Sequence, residues 1–520
     1  MPSLKHTIRF ARLTFLLCMA PLLATVWSAC SDSAVETASD ATIRDGAHGD
    51  VSFEDVTTGD AALADASTNG MDSPFGFHPA DVGPGHDFSD ALRIGVRWHR
   101  PPLYAFWFVI QLDLTSRSYD FSQYDAQYAA VPEGIHILAN VAPDTLHRTP
   151  HDRFIGDSYL PVDQDEYTAF VEATVERYDG DGIDDMEGLV NPIKAWQVGN
   201  EPRPDADFAT LQRITYAAVK HACQDCTVLI GGVAGFPRNY ISQFDNVYLP
   251  ILNELAGHDV DVFDFHWYGM ATGDYRIIDP ADGRTVYDHI RATLQQTGFS
   301  SDLPIWITEM GTYSGDPPFT QMLNRDFPLQ TERQQAQDLF KRFIYSLSLG
   351  VKKVFPAFGL MEGFVQEDSY FNHTGLIYDG RDGGDPGKGI RKLGYYTYWK
   401  MTDLLEGVNW STISTLRQGP EAGDDHSVFI FSVKRNGRDM RIAWWDTFDE
   451  SNYQPGATIP VTFTQLQGQR IRVTSVVPSC ETGADVTDVT TTFHVETIDV
   501  TDQSATIELG DDPVIVEILH

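Results

Sequence analysis

Cysteine is scarce in this 520-residue chain, with 5 residues in all, which excludes a scaffold built on disulfides. Positive charge is scarce too. The 37 Lys and Arg stand against 74 Asp and Glu, a net charge of −37. So acidic a chain repels nucleic-acid phosphates and anionic lipid, so no nucleic-acid partner is expected. Polyanionic glycans are weakly disfavoured on the same ground. Beyond the N-terminus no apolar run is long enough to span a bilayer. A nucleotide-binding loop, a catalytic serine elbow and a zinc signature are also missing. Apolar residues, at 42%, and aromatics, at 12%, are plentiful and mark a core-forming globular protein. At about 100–200 residues per domain, two to three domains fit this length.

The N-terminus reads as an export signal. Lys5, His6, Arg9 and Arg12 precede an apolar run, Leu13 to Trp27, that is short for a membrane helix. The run closes on Trp27-Ser28-Ala29-Cys30, which resembles a bacterial lipoprotein signal. That resemblance implies a signal peptide over residues 1–30 and a lipid anchor at Cys30, the membrane being touched only there. Trp27 stands where leucine is usual, so ordinary secretion is the competing reading. Residues 31–72 form an acidic linker, with nine acids and one base between 31 and 70. Such a segment buries too little apolar surface to offset its ordering entropy, and disorder is expected. Cys223-Gln224-Asp225-Cys226 is a C-x-x-C for which a local disulfide is expected in an exported protein. Zinc would need two further ligands that no neighbouring motif supplies. Cys480 is left without a partner.

From Ser73 to about Glu406, short apolar runs alternate with amphipathic stretches, the pattern of βα units. Strands are predicted at 75–78, 92–98, 135–141, 193–198, 228–232, 262–267, 305–308 and 354–358. Helices are predicted at 166–178, 208–221, 287–297, 331–349 and 395–405. Eight units in roughly 330 residues predict an α/β fold, a (β/α)8 TIM barrel over 73–406, with its site at the strand C-terminal ends. Over 407–520 the texture turns to period-two runs, with the hairpin signal Asn436-Gly437. A small antiparallel β-sandwich is expected there.

Two strand runs end abruptly in a glutamate: Trp196-Gln197-Val198-Gly199-Asn200-Glu201-Pro202 and Trp306-Ile307-Thr308-Glu309-Met310-Gly311. An ionisable group at the lip of an apolar strand is costly unless something uses it. Paired carboxylates at one site are what glycosidic bond cleavage requires. Gly199-Asn200-Glu201-Pro202 on strand four, with Thr308-Glu309 on strand seven, resembles the clan A glycoside hydrolases. Cellulase-like family 5 and xylosidase-like family 39 are nearest in texture. The resemblance implies a retaining enzyme in which Glu201 is the acid/base, Glu309 the nucleophile and Asn200 a partner of the sugar 2-hydroxyl. The competing reading for either glutamate is a helix cap or an ion pair.

His266 and Tyr268 lie two apart on strand six and so share a face. The resemblance gives Tyr268 the task of holding the nucleophile, and His266 is expected to line a sugar subsite, with a core histidine as the alternative. By the same resemblance Arg97, after strand two, helps keep the nucleophile ionised; a structural salt bridge competes. His78 ends strand one and joins the same subsite. Phe358 stands where relatives carry a strand-eight tryptophan, with Trp267 or Phe364 as substitutes for that platform. Trp196 and Trp306 read as core. The loops 314–330 and 359–390 are expected to wall the cleft. No catalytic metal or cofactor is predicted. A structural calcium near Asp179, Asp181 and Asp184 competes with a solvated Gly-rich turn, since Ile183 breaks the EF-hand spacing. The expected function is a retaining glycoside hydrolase cleaving a neutral extracellular poly- or oligosaccharide. A catalytically inactive glycan-binding lipoprotein and a transglycosylase are the alternatives.

Overall fold

The computed structural model describes residues 70–83, 85–113, 115–143, 160–202, 207–234, 239–268, 274–317, 327–364, 370–381, 384–450 and 453–520. The export signal, Cys30 and the linker through residue 69 lie outside the described residues, as do parts of both loops expected to wall the cleft.

The N-terminal strands are β1 (Gly76–Phe77), β2 (Trp98–His99), β3 (Ala105–Phe106), β4 (His136–Ala142), β5 (Ala195–Val198), β6 (Thr227–Leu229), β7 (Phe263–Trp267), β8 (Ile305–Met310) and β9 (Val354–Pro356). One parallel sheet runs β1-β2-β4-β5-β6 and another β7-β8-β9, with β3 pairing on β4. Parallel bridges Leu229–Val262 and Val233–Phe265 join β6 to β7. Phe75–Val354 and His78–Ala357 join β9 back to β1. Each predicted strand but the second has a counterpart within about two residues of its expected start. For the second, Ser89–Arg93 are helical and the strand begins only at Trp98. The alternation of Leu92, Ile94, Val96 and Trp98 misleads because Leu92 is 45% exposed at the end of that helix.

The five predicted helices form at Gln164–Glu176, Asp207–Ala222, Val286–Gln296, Glu332–Leu349 and Leu393–Leu405. Thr331 and Gln334 close a capping box at the start of the fourth, and Gly350 ends it in the left-handed conformation. A further helix, Tyr240–Leu255, holds Pro250 inside it. Its buried Tyr240, Phe244, Tyr248, Ile251 and Leu255 follow the helical period, and that packing offsets the hydrogen bond proline removes.

The strands' shared inner face is layered. Trp98, Leu138, Ala195, Leu229, Val262, Trp306 and Phe355 form one buried apolar cluster. A Cβ on Gly76 would come within 2.6 Å of the Phe355 ring, so only glycine closes this layer. Two residues further along the same strands stand Arg100, Asn140, Gln197, Gly231, Asp264 and Thr308. An apolar floor thus carries a polar storey.

The C-terminal region is antiparallel. A six-stranded sheet runs β10 (Ser414–Glu421), β11 (Asp424–Arg435), β12 (Arg438–Trp445), β17 (Val514–Leu519), β14 (Arg470–Ser475), β15 (Val495–Asp499). A two-stranded sheet pairs β13 (Ile459–Phe463) with β16 (Ala505–Leu509). Asn436 and Gly437, at φ 51° and 76°, make the two-residue turn of the β11–β12 hairpin, where Arg435 pairs with Arg438. Alternate residues of β11 serve two cores. Val428 and Ile430 cluster with Val461 and Ile507 of the small sheet. Phe429, Phe431 and Val433 join the main core instead. Asp446, just beyond β12, accepts from the buried Tyr275 hydroxyl at 2.8 Å across this junction.

Candidate active site

Beyond the ends of β5 and β8 the two glutamates converge. Gly199 and Glu201 take φ 67° and 48°, turning the chain off β5, and the Glu201 amide donates to Gly231 O at 2.7 Å. A left-handed glutamate is a strained backbone state of the kind that collects at functional sites. Asn140 Nδ2 donates to Gly199 O at 2.8 Å and holds this turn to β4. Glu309 lies within β8 and is buried.

His266 sits between the carboxylates. Its Nδ1 hydrogen-bonds with Glu201 Oε1 at 2.6 Å and lies 3.4 Å from Glu309 Oε2. One Glu201 oxygen, one His266 nitrogen and one Glu309 oxygen all lie within 4.8 Å of each other. The imidazole fits because residue 232 is glycine: a Cβ there would stand 2.3 Å from His266 Nε2. Burial lowers the His266 pKa, but the Glu309 and Glu201 carboxylates outweigh it and raise the value above that of a free histidine.

Glu309 is the best-supported anion of the site. Arg100 Nη1 donates to its Oε1 at 2.7 Å, and the Tyr268 hydroxyl donates to its Oε2 at 2.5 Å. Burial alone would raise its pKa, yet the charges of His266 and Arg100 and the Tyr268 hydrogen bond hold it at about 2. It is therefore ionised at neutral pH. His78 donates Nδ1 to Arg100 O at 2.7 Å and keeps Nε2 3.8 Å from Glu309. Burial, and next the Arg100 charge, push His78 down to about 3, so it is neutral. Asn200 Oδ1 accepts from Arg100 Nη2 at 2.6 Å, which leaves the amide Nδ2 as its donor.

The structure thus brings together Glu201, Glu309, Asn200, His266, Tyr268 and His78, and separates two other predicted residues from them. Arg97 is replaced by Arg100. Trp98 and Arg100 share the inner face of the second strand, so Arg97, one residue out of phase, takes the other face, where a Cβ on Gly134 would lie 3.7 Å from its guanidinium. Trp267 is likewise out of phase with its neighbours His266 and Tyr268. It is buried in the main core, donates Nε1 to Asp274 O at 2.9 Å, and packs on Tyr240 at 5.7 Å.

Phe358 occupies the predicted platform position. It stacks with Phe364 at 5.9 Å and 7° and with Tyr268 at 6.0 Å and 19°, with Phe371 edge-on at 5.2 Å. All four rings are half-buried. Trp196 and Trp306 are core residues as expected, and Cys223–Cys226 is a disulfide with Cys480 free. In the acidic turn, Asp185 rather than Asp184 joins Asp179 and Asp181. These carboxylates accept the backbone N–H groups of Gly180, Asp181, Gly182 and Ile183, while Asp184 takes φ 50°. These hydrogen bonds close the turn.

No family model and no curated protein matches this sequence. Among solved structures the chain is similar to a family 39 glycoside hydrolase from Bacteroides cellulosilyticus WH2, with TM-score 0.56 and 16% identity over 85% of this chain and 81% of the other. It is similar to a glucosidase from Croceicoccus marinus, with TM-score 0.53 and 15% identity over 86% and 95%. A third is a family 44 glycoside hydrolase endoglucanase from Clostridium acetobutylium, with TM-score 0.50 and 12% identity over 86% and 97%. At these identities the likeness is one of fold, and the fold this chain shares is that of glycoside hydrolases.

Proposed function

We propose that the protein is a retaining glycoside hydrolase acting on a neutral extracellular poly- or oligosaccharide. Glu309 attacks the anomeric carbon as the glycosidic C–O bond breaks, and Glu201 gives its proton to the departing oxygen. Glu201, now ionised, then takes a proton from water as that water displaces Glu309. Asn200 Nδ2 donates to the sugar 2-hydroxyl, and the half-buried faces of Phe358 and Phe364 stack on sugar rings. The observation that carries this reading is the closeness of the two glutamates, one oxygen of Glu201 lying within 4.8 Å of one oxygen of Glu309. Retention needs about 5–5.5 Å between carboxyl groups, whereas inversion needs about 6.5–9.5 Å to admit a water. The eight strands β1, β2 and β4 to β9 are read as a closed (β/α)8 barrel over residues 73–406, followed by a β-sandwich domain over 407–520. The N-terminal sequence supports export and a lipid anchor at Cys30.

The test is an assay of the full-length protein on β-linked glycans and aryl glycosides beside Glu309→Gln and Glu201→Gln. Cleavage with retained anomeric configuration, reduced by at least about a thousandfold in Glu309→Gln, is expected. On an aryl glycoside with a good leaving group, Glu201→Gln should spare the first step and slow the second. Inverted product, or activity indifferent to both substitutions, would sink the reading.

A further inference from the structure

Between the apolar floor and the glutamates lie Asn140, Gln197, Asp264 and Thr308, all buried and none of them used in the chemistry above. The role of these residues rests on the glycosidase reading of the site and extends it.

Arg100 uses each nitrogen of its fork separately: Nη1 on Glu309, Nη2 on Asn200 and Nε on Gln197 Oε1 at 2.8 Å. Gln197 Oε1 also accepts from Asn140 Nδ2 at 2.6 Å, and the same Nδ2 holds the Glu201 turn through Gly199 O. On its other side Gln197 Nε2 donates to Asp264 Oδ2 at 2.5 Å. Asp264 accepts further from Thr308 Oγ1 at 2.8 Å and from the Gly231 amide at 3.2 Å. The donor count fixes the amide. Turned over, Gln197 would set its NH2 against two donors, Arg100 Nε and Asn140 Nδ2, and its oxygen against a carboxylate. Each mismatch would strand a buried polar group without its partner, which a buried network tolerates poorly. The carboxylate at 264 therefore dictates which end of Gln197 meets Arg100.

We infer that Asp264 and Gln197 are positioning residues, a paired lock that holds the Arg100 guanidinium in the plane serving Glu309 and Asn200 at once. Neither touches substrate. Without the lock Arg100 can swing, Glu309 loses its best-aligned cation, and His266, His78, Tyr268, Tyr104 and Glu201 are left as its charged and titratable neighbours. The carboxyl then titrates higher.

The test compares Gln197→Met, Gln197→Glu and the exchange Gln197→Glu with Asp264→Asn in the full-length protein. Gln197→Met should lower kcat about a hundredfold and lift the acid limb of the kcat/KM profile by roughly one pH unit. Gln197→Glu alone sets two carboxylates against each other and should be as damaging. The exchange restores an acceptor toward Arg100 and a donor between positions 264 and 197, and should recover at least about tenfold over Gln197→Glu. An acid limb that stays in place while activity falls with thermal stability would overturn the lock, as would an exchange no better than the single variant. The Glu309 carboxyl is also followed directly by 13C NMR, assigned with Glu309→Gln. If wild type cleaves nothing, the hydrolase reading has failed by itself. The lock then stands if the Glu309 midpoint rises in Gln197→Met, and falls if it does not.

Discussion

The two storeys of the inner face use the same strands, two residues apart, and differ in almost everything else. Trp98 leads to Arg100, Leu138 to Asn140, Ala195 to Gln197, Val262 to Asp264 and Trp306 to Thr308. Below, the side chains are apolar and interdigitate, with Trp98 and Trp306 edge to face at 5.4 Å. Above, the side chains are joined by directed hydrogen bonds, as where Gln197 accepts from Arg100 Nε and donates to Asp264. The floor tolerates changes of shape better than of volume, because dispersion and burial have no direction. The upper storey tolerates neither, since a lost partner strands a buried polar group. One step of period two therefore separates residues that hold the fold from residues that set the chemistry.

The sharpest way to break this contrast is at Arg100. Arg100→Met keeps the volume but removes the three bonds to Glu309, Asn200 and Gln197. We expect kcat to fall by about 10²–10³-fold, a loss typical of one preorganised charge at the reacting centre. The pH profile should move with it. Glu309 is held at about 2, so in the wild type this carboxylate, the proposed nucleophile, stays ionised down to strongly acid pH. Removing the cation raises that value toward the ordinary carboxylate range, and the acid limb should climb with it. A profile displaced in neither direction would mean that Arg100 supports shape alone.

The same contrast predicts the opposite signature one storey down. Trp306→Ala empties a large volume from the apolar floor and should cost about 3–5 kcal/mol, read as a drop in denaturant midpoint. At low temperature kcat per folded molecule should stay within about threefold of wild type. An unchanged midpoint with lost activity would erase the distinction between the storeys.

How much of this is legible in the sequence depends on phase. Glu201, Glu309, His266 and Tyr268 are legible because each sits at the end of a clear apolar run, where alternation fixes which way a side chain points. Arg97 stands out over Arg100 because the run from Leu92 to Trp98 hides a helix, and a phase counted from the wrong strand end selects the wrong face. Trp267 is excluded by the same alternation that places His266 and Tyr268 together. The lock residues leave a signal too: Gln197 and Asp264 interrupt the runs Ala195-Trp196-Gln197-Val198 and Phe263-Asp264-Phe265, where an unsatisfied polar group is costly. Their partners, drawn from separate strands, are not legible. Pro250 hides the helix Tyr240–Leu255, since packing rather than propensity maintains it.

The smallest expected effect compares the two buried cations at opposite ends of this face. Arg100 is matched by carboxylates, whereas Lys353, beneath the floor, has the carbonyls of Met71 and Ser73 and the rings of Trp98 and Trp306, its Nζ 4.3 and 5.2 Å from their centroids. Carbonyls and aromatic faces attract an ammonium but carry no net charge to offset its desolvation. Burial accordingly pushes Lys353 down to about 7, with Asp72 and Glu406 opposing only in part. A folded pKa below the unfolded value of about 10.4 means that, above pH 7, the unfolded chain holds a proton the native state lacks. Stability should therefore rise with pH from about 7 upward, by at most about 1.4 kcal/mol per pH unit. Below pH 7 both states are protonated and this contribution is flat. Lys353→Met should remove the slope, measured as urea midpoints at pH 7 and pH 8, while leaving the acid limb of activity in place. If the slope persists in the variant, the charge under the floor is as well matched as the one above it, and the contrast between the two ends fails at its weakest point.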